Sequence, residues 1–101
     1  MPYDDVLVDR VRRAMSSYGE ASERELFGGL MFYLGGRMCA GVVNDQLVLR
    51  MSPEAAAEAL ARNRIDPMGE AEIPGIISVS PAGHELEEDL NEWIRLAVEG
   101  A

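Results

Sequence analysis

Along this chain the apolar positions switch between helical spacing and strand-like alternation, and the switches define the elements. Leu7, Val11, Ala14, Met15 and Tyr18 recur at helical spacing behind Asp4 and Asp5, either of which can cap, and Gly19 supplies a stop. After a polar step through Ser22 and Glu23 the pattern predicts a short strand over Arg24 to Phe27, leading into Gly28-Gly29. Three further strand-like segments follow, separated by Gly35-Gly36 and by Asn44-Asp45, pairs that tolerate the positive φ of tight hairpin turns.

With two-residue turns at both places the register can be written down. Phe32 falls opposite Cys39 opposite Arg50, and Met31 opposite Ala40 opposite Leu49. One face then carries Met31, Tyr33, Met38, Ala40, Val42, Leu47, Leu49 and Met51, and is expected under the helices. The other carries Leu30, Phe32, Leu34, Arg37, Cys39, Gly41, Gln46, Val48 and Arg50, a mixed set suited to partial exposure or to a partner.

Ser52-Pro53-Glu54 is a helix start, with a capping serine, proline in the first turn and an acid near the positive end of the dipole. This alanine-rich second helix runs to about Arg62. Ile65 to Met68 reads as a short edge strand interrupted by Pro67, and Gly75 to Ser80 as a better one, ended by Pro81. Leu86, Leu90, Trp93, Ile94, Ala97 and Val98 then recur at helical spacing behind Glu85, Glu87, Glu88 and Asp89. The expected fold is α+β and two-layered, a mostly antiparallel sheet covered by helices in the order α-β(3)-α-β(2)-α, with residues 1–101 forming a single domain.

Charge narrows the function classes. Eighteen acidic residues face nine basic ones, all arginine, for a net charge of -9. Such a field repels phosphate backbones, so direct nucleic-acid binding is not expected. Arg10, Arg12 and Arg13 form the densest basic group, but Asp4, Asp5 and Asp9 lie close by on the same helix, which reads as a solvated ion-pair face. Cys39 is the only cysteine, so neither an internal disulfide nor a cysteine zinc site is available to one chain, and no metal or cofactor is expected. An acidic N-terminus and the lack of a long apolar run point to a soluble protein of the cytoplasm.

Candidate chemistry is sparse. His84, the only histidine, follows Ser78 and Ser80 but reads as a loop or cap residue rather than half of a catalytic pair. The acids from Glu85 to Asp89 read as a dipole-favoured helix start, and the glycine pairs as strand bends and turns, since no lysine is present to reach a phosphate. No catalytic residue is assigned. Cys39 reads first as a small apolar residue, with a regulatory thiol as the alternative, because the register sets Arg50 beside it and a nearby cation activates a thiol.

The wording Leu26-Phe27-Gly28-Gly29-Leu30 through Phe32, then Met38-Cys39-Ala40-Gly41-Val42, resembles the N-terminal domain of the TfoX/Sxy competence-regulator family. Leu49-Arg50-Met51 before the Pro53 helix, the Pro67-Met68 step and Gly75 before the last strand extend the resemblance over nearly the whole chain. The resemblance implies the same α-β(3)-α-β(2)-α arrangement. In the competence regulators this domain precedes a C-terminal domain, and the pair is similar to a transcriptional co-activator working with a cyclic-AMP receptor protein. A chain stopping at Ala101 is then expected to be a stand-alone member, and the family supplies no catalytic residues to carry over.

The reading is therefore a small non-catalytic regulatory or protein-interaction domain. Its expected partner is a protein, with a transcription-related one implied by the resemblance, and a homodimer is expected through the open sheet face or an edge strand. Leu30, Phe32, Leu34, Cys39, Val48 and Arg50 are the candidate interface or ligand face, with Phe32, Cys39 and Arg50 foremost. The alternative is a small-molecule-binding or thiol-dependent enzymatic domain using the same face around Cys39.

Overall fold

The computed structural model describes residues 3–26, 28–57 and 75–99. Of the two candidate caps it is Asp4 that serves: its carboxylate accepts from the backbone N–H groups of Val6 and Leu7, satisfying donors that the first turn leaves free. Helix α1 (Asp5–Met15) follows and buries Leu7, Val8, Val11, Ala14 and Met15 along one stripe. Four strands come next, β1 (Ser22–Leu26), β2 (Gly29–Leu34), β3 (Arg37–Val43) and β4 (Gln46–Arg50).

Residues 53–57 are helical and start where expected, with the Ser52 hydroxyl accepting from the Ala55 N–H at 3.1 Å. The rest of the expected second helix, the expected strand over Ile65 to Met68, and Phe27 lie outside the described residues. Strand β5 (Ile76–Val79), the helical turn α2 (Pro81–His84) and helix α3 (Glu87–Glu99) complete the order. The sheet runs β1-β2-β3-β4-β5 and every pair is antiparallel, so the α+β, two-layer expectation holds. Four strands precede residues 53–57, matching the four strand-like segments read from the sequence and one more than the order α-β(3)-α counts.

Both hairpin turns are the two-residue loops expected. Leu34 pairs with Arg37 across Gly35-Gly36, where φ is 59° and 81°, and Val43 pairs with Gln46 across Asn44-Asp45, where Asn44 adopts φ 55°. The β3–β4 register is also as expected, with Ala40 opposite Leu49. The β2–β3 register is not. Tyr33 pairs with Met38, but Phe32 then pairs with Ala40, Met31 with Gly41 and Leu30 with Val42. Cys39 is the extra residue of a β-bulge, and one extra residue inverts the facing of all that lies beyond it.

The inversion decides what is inside. Two cross-strand rows form the covered face, Leu30–Val42–Leu47–Val79 and Phe32–Ala40–Leu49–Ile77, and all eight side chains are buried. They pack with Leu7, Val11 and Met15 of α1, with Leu90, Trp93, Ile94 and Ala97 of α3, and with Met51 and Ala56. Ala40, Val42, Leu47, Leu49 and Met51 lie under the helices as expected. Met31, Tyr33 and Met38 do not, and Leu30, Phe32 and Leu34 have taken their place.

Polar contacts fasten the helices over this core. Arg10, expected in a solvated ion-pair face, instead crosses to the other end of the chain. Its guanidinium donates to the carbonyl oxygens of His84 at 2.6 Å and Glu85 at 3.3 Å, and its Nε pairs with Glu87 at 3.1 Å. The Trp93 indole donates to the Gly83 carbonyl at 3.0 Å, and Arg37 donates to the Val98 carbonyl near the end of α3.

On the opposite flank Arg12 donates to both carboxylate oxygens of Glu23, at 2.7 and 2.9 Å, and this hydrogen bonding holds the Glu23 carboxyl below its ordinary range. A carboxyl depressed in the folded state contributes stability above its unfolded value, ~4.3, and loses that contribution as pH falls through the lower folded value. The stability difference between wild type and Glu23→Gln is therefore expected to be present at neutral pH and to vanish below that range. Urea titrations at a series of pH values would show it, and a difference that persists at pH well below 4 would assign the effect to something other than the ion pair.

Candidate functional site

Alternation along the strands leaves a second face, turned away from the helices. It is built from Arg24 of β1, Met31 and Tyr33 of β2, Met38, Gly41 and Val43 of β3, Gln46, Val48 and Arg50 of β4, and Ile76 and Ser78 of β5. Three side-chain contacts confirm the assignment. The Arg24 guanidinium lies 5.9 Å from the centre of the Tyr33 ring, within cation–π range. The Met31 sulfur lies over Gly41, in the space a side chain there would need. The Ser78 hydroxyl donates to the Gln46 side-chain oxygen at 3.1 Å.

Met31 is buried, Tyr33, Met38, Val43 and Val48 are half-buried, and Arg24 and Arg50 are exposed. Among the described residues no helix packs on this face: the core cluster that joins α1, α3 and residues 55–56 to the sheet draws only on the other one.

The six candidate residues divide between the two faces. Val48 and Arg50 stand on the second face, as expected. Leu30, Phe32 and Cys39 are in the core, at 8%, 0% and 0% exposure, and the half-buried Leu34 packs against it. The bulge is the physical reason, since it brings Cys39 and Ala40 together on the covered side. The Cys39 thiol points to the Arg37 carbonyl at 3.6 Å, while Arg50 is exposed on the opposite side of the sheet, so the two do not form the expected thiol–cation pair. Cys39 is accordingly expected to resist a water-soluble thiol reagent while the protein is folded and to react on unfolding. Modification of native protein at the rate of denatured protein would show that the core opens at the bulge.

His84 also departs from a free loop residue. It is buried at the end of α2, its Nε2 donates to the Asp45 carbonyl at 2.9 Å, and its Nδ1 is buried without a hydrogen-bond partner. Ser78, three residues before Pro81, is on the second face and already bonded to Gln46, so His84 and Ser78 lie on opposite sides of the sheet. Two shallow clefts open in the helical layer. One of about 350 Å³ is lined by Arg13, Ala14, Ser17, Tyr18, Glu87 and Asn91, and one of about 420 Å³ by Arg10, Pro81, Ala82, His84 and Glu85. Among the described residues no hydrogen bond joins a hydroxyl to a carboxylate or imidazole in either cleft. Among the described residues no group of three or more histidine, cysteine, aspartate or glutamate side chains is placed to hold a metal ion, and no helix is long and apolar enough to cross a membrane.

Sequence reasoning missed the Arg24–Tyr33 stack and the Met31–Gly41 contact. The one signal available was Gly41 itself, an open position in the middle of an otherwise apolar strand that a long neighbouring side chain can fill.

No curated protein and no solved structure matches this chain. The family model for the TfoX N-terminal domain matches residues 13–101, a span that takes in every described strand, the described helices from the last turn of α1 onward, and the Gly28-Gly29 and Met38 to Val42 wording. The chain belongs to the TfoX N-terminal domain family.

Proposed function

We propose that this chain is a non-catalytic regulatory domain that binds a protein partner through the second face of its sheet. One observation carries the reading: Tyr33, Met38, Val43 and Val48 form a half-buried apolar group on a face over which no described helix packs. An edge of the sheet is the weaker surface for a partner. Strand β1 presents Glu23, Arg24 and Glu25 in succession, and a second β1 laid antiparallel about Arg24 would set Glu23 against Glu25 and arginine against arginine. The resemblance to competence regulators suggests a transcription-related partner, and a second copy of the chain is the partner in the homodimer form of the reading.

Site-specific photo-crosslinking tests this directly. A photoreactive residue replaces Val48 in native cells, with the same residue at the exposed Tyr18 of the helical side as control. Discrete protein adducts from position 48 and none from position 18 are expected, and an adduct of twice the chain's mass would mark the homodimer. Equal adducts from both positions, or none from either, would remove the reading.

A further inference from the structure

Charge is unevenly divided between the two sides of this molecule. Among the described residues every carboxylate sits in the helical layer, in loops or turns, or on the helix side of β1, where Glu23 meets Arg12 and Glu25 accepts from Tyr3. The second face carries none. It carries two arginines instead, Arg24 on β1 and Arg50 on β4, both exposed, at either side of the half-buried group formed by Tyr33, Met38 and Val48. In a chain of net charge -9, a face that among the described residues carries two cations and no anion is the exception, opposite in sign to the other described surfaces.

We propose that the second face docks an acidic segment of a partner protein, one that interleaves carboxylates with aliphatic or aromatic side chains. This rests on the reading of that face as a protein-binding surface and names the chemistry of its occupant. The apolar side chains of the segment cover Tyr33, Met38 and Val48, and its carboxylates reach the guanidiniums of Arg24 and Arg50. Arg24 is already oriented by its stack on Tyr33, so fewer of its rotamers remain to be frozen on binding. A second copy laid face to face is disfavoured, because it brings arginines toward arginines with no carboxylate among the described residues of either face to separate them. Among the described residues a nucleic acid meets only two cations on this face, and the net charge of -9 repels it.

The test is a titration of isotope-labelled full chain, followed by amide chemical shifts. The probe is a short synthetic peptide alternating leucine with glutamate, and its twin carries lysine in place of glutamate. The glutamate peptide is expected to shift the amides of Tyr33, Met38 and Val48, with binding that weakens as salt is raised. Arg24→Glu combined with Arg50→Glu is expected to weaken it by about tenfold or more, while Arg24→Lys combined with Arg50→Lys keeps most of it.

Equal binding of the lysine twin, shifts confined to the helical layer, or an unchanged affinity in the charge-reversed variant overturns the proposal. So does a single-stranded oligonucleotide that shifts the same amides when the glutamate peptide does not. If the glutamate peptide is inert but the same amides shift with protein concentration and Val48→Asp abolishes that shift, the occupant is a second copy. The acidic partner then falls and the interaction face stands. If nothing perturbs these amides, both fall.

Discussion

Phe32→Ala is expected to destabilise the fold by about 3–5 kcal/mol, the usual range for truncating a fully buried aromatic side chain. Phe32 has no exposed surface and occupies the row Phe32–Ala40–Leu49–Ile77, so the cavity left behind is walled by the sheet and by the helices packed over it. For a domain of this size that loss is a large share of a total of about 5–15 kcal/mol. Val48→Ala, on the second face, is expected to cost far less. Chemical denaturation of the two variants therefore measures which way β2 faces. A cost below about 1 kcal/mol for Phe32→Ala would return this side chain to the surface and remove the bulge from the account.

The second large effect concerns backbone. Gly75→Ala is expected to cost at least about 1–3 kcal/mol, the range for a side chain forced into a sparsely populated conformation, because Gly75 sits at φ 90°. An added Cβ would also lie 2.5 Å from the Met51 carbonyl oxygen, which is backbone and cannot rotate away. The same glycine accepts from the Met51 N–H at 2.8 Å, so relieving the overlap pulls on the bond that ties the start of β5 to the end of β4. Thermal melts of Gly75→Ala and of Gly36→Ala separate the two causes. Gly36 has φ 81° but open space around its Cβ position, so only the conformational part should appear there. Equal losses at the two positions would mean that the close approach to Met51 contributes nothing.

How much of this was legible in the sequence follows from what each signal encodes. Turn chemistry is local, so Gly35-Gly36 and Asn44-Asp45 gave both hairpins and the β3–β4 register. Caps and helical spacing gave α1 and α3 for the same reason. The facing of β2 was not legible, because Leu30, Phe32 and Leu34 are as apolar as Met31 and Tyr33, and alternation cannot choose between two apolar sets. Only the bulge at Cys39 decides, and an extra unpaired residue leaves no periodic trace. Four of the six candidate site residues consequently went to the core or its margin, while Val48 and Arg50, on the strand whose register was right, stayed on the face assigned to them. Arg10 was misread for a different reason: the carbonyls of His84 and Glu85 that hold it belong to the far end of the chain, and no local pattern announces them.

Strand order equal to sequence order has a kinetic consequence. Three of the four strand pairings join neighbours through very short connections, so they close with little loss of chain entropy and can form as successive local hairpins. The pairing of β4 with β5 must instead close the much longer stretch between Arg50 and Ile76, and α3 finds α1 only across nearly the whole chain. Folding is accordingly expected to pass through a barrier at which the β2–β3–β4 meander is formed and β5 is not. Substitutions at Ala40 or Leu47 should then slow folding, while those at Ile77 or Val79 should mainly speed unfolding.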